Sequence, residues 1–164
     1  METFDWTKFT KEIAVKGNVF DIYNAWTKTA ALEGWFLSKA VFHRAENGMV
    51  DRHQNILKRD KYEWSWFLYD VVEKGKVTKA NGIDHLQFTF AGECLVDVEL
   101  RPDDDYVIVK LTQKNIPTDD LSKRNIRLGC ESAWSFHLLN LKSVYEGGVD
   151  LRNKNPDFKG MINS

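Results

Sequence analysis

Long apolar runs are missing from this sequence. No unbroken apolar stretch reaches the roughly 18 residues of a membrane helix, and the opening METFDWTKFTKE lacks the apolar segment of a signal peptide. A span and a secretory leader are not expected, and the chain reads as a cytoplasmic protein. Cysteine is scarce: Cys94 and Cys130 are too few for a disulfide scaffold and show no C-x-x-C spacing, so both are read as free, buried thiols. Charge of one sign is also lacking, with 23 basic and 24 acidic side chains giving a net charge of −1. A nucleic-acid binder usually carries a basic stripe, because phosphate contacts dominate its affinity. The small cluster of Lys123, Arg124 and Arg127 reads instead as a solvated helix face. No phosphate-binding loop, dinucleotide fingerprint or G-x-S-x-G nucleophile elbow occurs.

What the chain has is rings: Trp 6, Tyr 5 and Phe 10 in 164 residues. That much aromatic surface implies either a densely filled core or a cavity lined by rings. The length fits one domain. Alternation at Phe9, Lys11, Ile13 and Val15 predicts a first strand. Asn18, with Asp21 three residues on, caps a helix through VFDIYNAW, and Thr29 is placed to cap a second, AALEGWF. From Leu37 to Gln113 the period falls to two. Tyr62, Trp64, Trp66 and Leu68 share one face, as do Leu86, Phe88 and Phe90, then Cys94, Val96, Val98 and Leu100, then Val107, Val109 and Leu111. EKGK, AGE and RPDDD are read as the turns between them. Clean alternation of this kind indicates antiparallel strands with one buried face.

Thr118 is the expected cap of a last helix, with Asp119 and Asp120 in its positive first turn, running to Gly147-Gly148. Its apolar stripe is Ile126, Cys130, Ala133, Trp134, His137, Leu138, Leu141 and Tyr145, and Gly129 is a candidate bend. One such helix is the only large apolar helical surface able to cover a curved sheet, and the space between the two is a natural cavity. Cys130 and His137 lie about 10.5 Å apart along a helix axis, too far for a thiol–imidazole dyad, which needs about 3 Å. Asp51 and His53, with His43 and His85, lack the spacing of a zinc site. The acids at 103–105 and 119–120 sit in a turn and a helix start, away from apolar surroundings that would tune them for proton transfer. No cofactor and no metal are expected.

Trp26, Leu32 and the GWF at 34–36, followed late in the chain by Gly129, Trp134, Asn140-Leu141-Lys142, Glu146-Gly147-Gly148 and DLRN at 150–153, resemble the SRPBCC superfamily of START-like domains. The late motif is similar to that of the bacterial branch related to the activator of heat shock protein 90 ATPase. The resemblance spans about residues 7–153. It implies an α+β helix-grip fold: a curved antiparallel sheet of about seven strands, two short helices after the first strand, and a long C-terminal helix packed across the sheet. Residues 1–153 would form the single domain, with 154–164 a tail. Relatives in the superfamily bind lipids, sterols or polyketides.

The leading expectation is therefore a binder of a hydrophobic small molecule, lipid-like or aromatic, held between sheet and helix by Trp64, Trp66, Phe88, Phe90, Cys130, Trp134, His137, Leu138 and Leu141. A chaperone-associated protein–protein module, with a chaperone or a second copy as partner, is the alternative. An enzyme acting on an apolar substrate, with His137 as base, ranks third.

Overall fold

The computed structural model describes residues 3–46 and 48–164. Strand β1 (Phe9–Lys16) buries Phe9 and Val15, exposes Glu12 and Lys16, and keeps Lys11 half-buried in an ion pair with Glu131 at 2.9 Å. Gly17 breaks the strand, and Asn18 caps α1 (Val19–Thr27) by accepting from the Asp21 amide at 2.9 Å. Helix α2 is shorter than the sequence pattern suggests, at Thr29–Leu32. Thr29 is its first residue rather than its cap, and its hydroxyl is buried without a partner among the described residues.

Seven antiparallel strands follow: β2 (Lys39–Arg44), β3 (Gly48–Met49), β4 (Lys61–Ser65), β5 (Glu73–Ala80), β6 (His85–Phe90), β7 (Cys94–Asp103) and β8 (Tyr106–Lys114). They and β1 form one curved sheet in the order β1-β8-β7-β6-β5-β4-β2-β3. The sheet thus has eight strands where about seven were expected. The additional one, β3, pairs only two of its residues with β2, too few to leave a periodic trace.

Two expected turns and one strand face are corrected. EKGK lies inside β5, not in a turn, because Gly75 packs under the Tyr62 ring of β4, its cross-strand partner. RPDDD is mostly strand, and only Asp104-Asp105 makes the turn between β7 and β8. Leu68 does not extend the Tyr62–Trp64–Trp66 face: β4 ends at Ser65, and Leu68 has a φ of 65° and is exposed.

The last helical run begins with α3 (Asp120–Ser122), capped by Asp119 rather than Thr118, with Asp119 Oδ1 accepting from the Ser122 amide. A π-helical turn over Lys123–Leu128 leads into α4 (Gly129–Tyr145). Gly129 does not interrupt the path; its backbone is helical. The wide turn carries Arg127 inward, away from Lys123 and Arg124. Its guanidinium donates to the Asp5 carbonyl, pairs with Glu131 and stacks over Phe4 and Phe9. Arg127 is therefore a buried anchor and not part of a solvated face.

Helix α4 grips the β1–β8 side of the sheet. Trp134 Nε1 donates to Gln113 Oε1 at 3.0 Å, and Lys142 Nζ to the Ala14 carbonyl at 2.8 Å. The late sequence motif is a clasp. Buried Asn140 donates to the Trp35 carbonyl and Asp150, and accepts from the Leu151 amide. Arg152 then reaches across to the carbonyls of Leu37 and Glu33. The charges after Gly148 accordingly include fold-closing ones. The chain end turns back, with the Asn153 amide donating to the Asn163 carbonyl.

Candidate ligand cavity

Helix α4 holds the sheet along β1 and β8 and leaves space beside the ends of β5 and β6 and the loop after β4. A cavity of about 930 Å³ opens there. One wall comes from the loop after β4 (Trp66, Phe67, Tyr69, Val71), with Glu73 of β5 and Phe90 of β6. The opposite wall is α4, through Cys130, Ala133, Trp134, Phe136 and His137. Phe36 forms the floor, and Arg152, Asn153, Asn163 and Ser164 from the chain end border it.

Of the residues expected here from sequence, Trp66, Phe90, Cys130, Trp134 and His137 meet at this cavity. Trp64, Phe88, Leu138 and Leu141 do not line it; all four are buried in the core. Trp64 stacks on Tyr62 at 3.8 Å between ring centroids and meets Phe88 edge-on at 5.1 Å. Trp64 and Phe88 face inward as the alternation implies, but neighbouring rings fill the space above them. The residues not foreseen come chiefly from the loop after β4 and from the chain end, where no period exists to read. Glu73 was the exception. Lys74 and Lys76 alternate with Glu73, Gly75 and Val77, a pattern that marks an inward-facing acid on a strand.

His137 lines the cavity with an imidazole that burial, and then the charge of Arg152, keeps neutral, its pKa lowered to about 3. No carboxylate orients the ring among the described residues, as a general base would ordinarily require. Burial pushes the Cys130 thiol up to about 11, against a lowering bond to Gln113, and also raises Cys94. Both thiols are free, though only Cys94 is fully buried; Cys130 is half-buried at the cavity wall. As protonated thiols they are weak nucleophiles.

The other histidines are engaged elsewhere. His43 meets Glu63 at 3.5 Å, His85 meets Asp97 at 2.8 Å, and Asp51 accepts from the His53 amide inside a turn. Among the described residues no three His, Cys, Asp or Glu side chains converge as a metal site would need. Nor, among them, is any helix long and apolar enough to cross a membrane.

Residues 18–146 match the family described as Activator of Hsp90 ATPase homolog 1-like protein. The chain belongs to that family. Its fold recurs in SSP2350 from Staphylococcus saprophyticus, at 16% identity and a TM-score of 0.70 over 88% of this chain and 96% of that one. The Aha1 dimer from Colwellia psychrerythraea is 20% identical, with a TM-score of 0.63 over 86% of this chain and 97% of its own. DynU16, from the dynemicin biosynthetic locus, is 14% identical with a TM-score of 0.66 over 90% of this chain, which spans 50% of DynU16. At such identities the likeness is one of fold. No curated protein matches the chain.

Proposed function

We propose that the protein binds a small hydrophobic molecule, lipid-like or aromatic, in the cavity between the sheet and α4. The observation that carries this reading is a space of about 930 Å³ walled mainly by rings and aliphatic groups. Binding sites for small molecules are usually clefts of about 300–1,000 Å³ with apolar walls and a few polar groups. An apolar ligand would gain about 0.8 kcal/mol for each methylene taken out of water, offset by the cost of ordering it. Membership of a superfamily with lipid and polyketide binders supports the same reading.

Native mass spectrometry of protein purified without detergent tests it. An added mass that leaves on denaturation and is recovered by organic extraction is the expected result. A clean apo mass, with no saturable binding of naphthalene-type probes, would overturn it.

A second reading, a chaperone-associated or self-associating module, is favoured by the family description and by the dimer formed by the Colwellia relative. Sedimentation of the pure chain and a pull-down for chaperones separate this reading from ligand binding.

A further inference from the structure

Two polar atoms on residues lining the cavity are sealed from water and lack a partner among the described residues: His137 Nδ1 and Trp66 Nε1. Both rings stand edge-on to Phe36 on the floor, with centroids at 4.8 Å and 5.7 Å and interplanar angles of 79° and 76°. The His137 Nε2 has no hydrogen bond to the described residues either. Unlike Nδ1, it is not sealed. A neutral imidazole offers one donor and one acceptor. This ring, fixed beside Phe36, Trp134 and Phe136, therefore presents an unspent hydrogen-bonding position on an otherwise apolar wall.

Charge around the cavity is arranged against anions. Glu73 lines it, accepts from the Ala91 amide at 2.8 Å and has no ion-pair partner among the described residues. Arg152 is the one cationic side chain on the wall among them, and its Nε, Nη1 and Nη2 are committed to Asp150 and to the carbonyls of Leu37 and Glu33. His137 carries no charge at neutral pH. A ligand carboxylate would shed its hydration here without gaining a free cation, a large cost in an apolar site. A hydroxyl or carbonyl loses far less and gains a hydrogen bond strengthened by the low local dielectric.

We propose that the cavity takes an uncharged apolar ligand bearing a hydroxyl or carbonyl group, with its apolar body over Phe36 and its polar group on His137, and that it excludes carboxylates such as fatty acids. The inference rests on the reading of the cavity as a ligand site and narrows it to a chemical class.

Three probes of one shape test it on the full chain at pH 7, followed by tryptophan fluorescence and by NMR shifts: 2-naphthol, 2-ethylnaphthalene and 2-naphthoate. The expected order is naphthol tightest, ethylnaphthalene about tenfold weaker for want of the hydrogen bond, and naphthoate weakest. In His137→Phe, the preference of naphthol over ethylnaphthalene should be lost. His137→Gln, which keeps an uncharged donor and acceptor, should retain part of the preference. Naphthoate binding as tightly as naphthol in the unaltered protein would overturn the proposal and leave the ligand-site reading standing. So would a His137→Phe variant that still prefers naphthol. Failure of all three probes to saturate would overturn the proposal, and together with a clean apo mass the ligand-site reading as well.

Discussion

His137 carries a measurable cost. In the unfolded chain a histidine titrates near 6.5, whereas in the fold burial, with Arg152 adding to it, lowers the pKa to about 3. Below pH 6.5 the unfolded state takes up a proton that the folded state refuses. The protein therefore loses stability as pH falls through this window, by about 1.4 kcal/mol per unit from this group. Stability from His137 is complete above pH 6.5. Urea denaturation of the unaltered protein and of His137→Phe should show their difference moving by about 2 kcal/mol in favour of the variant between pH 7 and pH 5. A difference that stays constant would mean the ring takes up its proton as readily in the fold as in the unfolded chain. Glu73 belongs to the same scale. Glu73→Gln removes the cavity's unpaired charge, so 2-naphthoate should bind about fivefold more tightly, the equivalent of roughly 1 kcal/mol, while 2-naphthol stays unchanged. Equal gains for both probes would point to a change of cavity shape and not of charge.

At the scale of elements, Gly75 explains why a segment with turn composition is a strand. A Cβ at that position would stand 2.5 Å from the Tyr62 hydroxyl and 2.6 Å from its ring. The ring cannot yield: Tyr62 is buried, stacks on Trp64 and bonds to the Thr89 carbonyl. Gly75→Ala should cost about 1–3 kcal/mol in urea denaturation, the usual penalty of overpacking. Gly129 predicts the opposite sign. Its Cβ would meet only the Arg124 carbonyl, at 3.7 Å, in a helix that runs straight through it. Gly129→Ala should therefore stabilise by up to about 1 kcal/mol, and a loss would show that the π-helical turn needs the glycine. These two glycines mark what was legible in the sequence. Alternation located the strand faces, and Asn18-Asp21 marked the start of α1, because local periodicity and capping are local physics. Whether Gly75 meant turn or contact depended on Tyr62 in another strand. Whether Trp64 and Phe88 lined a cavity or filled a core depended on rings brought in from Phe36, Tyr62 and Phe42. The π-helical turn that buried Arg127 left no periodic mark, since its partners, Phe4 and the Asp5 carbonyl, lie near the other end of the chain.

Across the whole molecule, the motif that carried the family resemblance proves to be the joint of the fold. Asn140, Asp150 and Arg152 tie α4 and the chain end to the corner between α2 and β2, and Arg152 also borders the cavity. Burial alone would raise the Asp150 pKa; bonds from Arg152, Lys154 and Asn140 override it and hold the carboxyl well below the usual range. Two cations share this carboxylate at similar distances, Arg152 at 2.8 Å and Lys154 at 3.0 Å, and both lie over the Phe67 ring. Geometry of contact does not separate them, but exposure does, at 6% for the Arg152 side chain and 50% for that of Lys154. Removing Arg152 leaves a shielded carboxylate and two backbone carbonyls short of donors. Arg152→Ala should accordingly cost about 3 kcal/mol or more in urea denaturation. Lys154→Ala loses a pair that water screens and should cost under about 0.5 kcal/mol. Equal losses would mean that the carboxylate is solvated and that Arg152 closes nothing. The expected inequality would assign the closure of the fold, and the shape of the cavity floor beside Phe36, to one buried guanidinium.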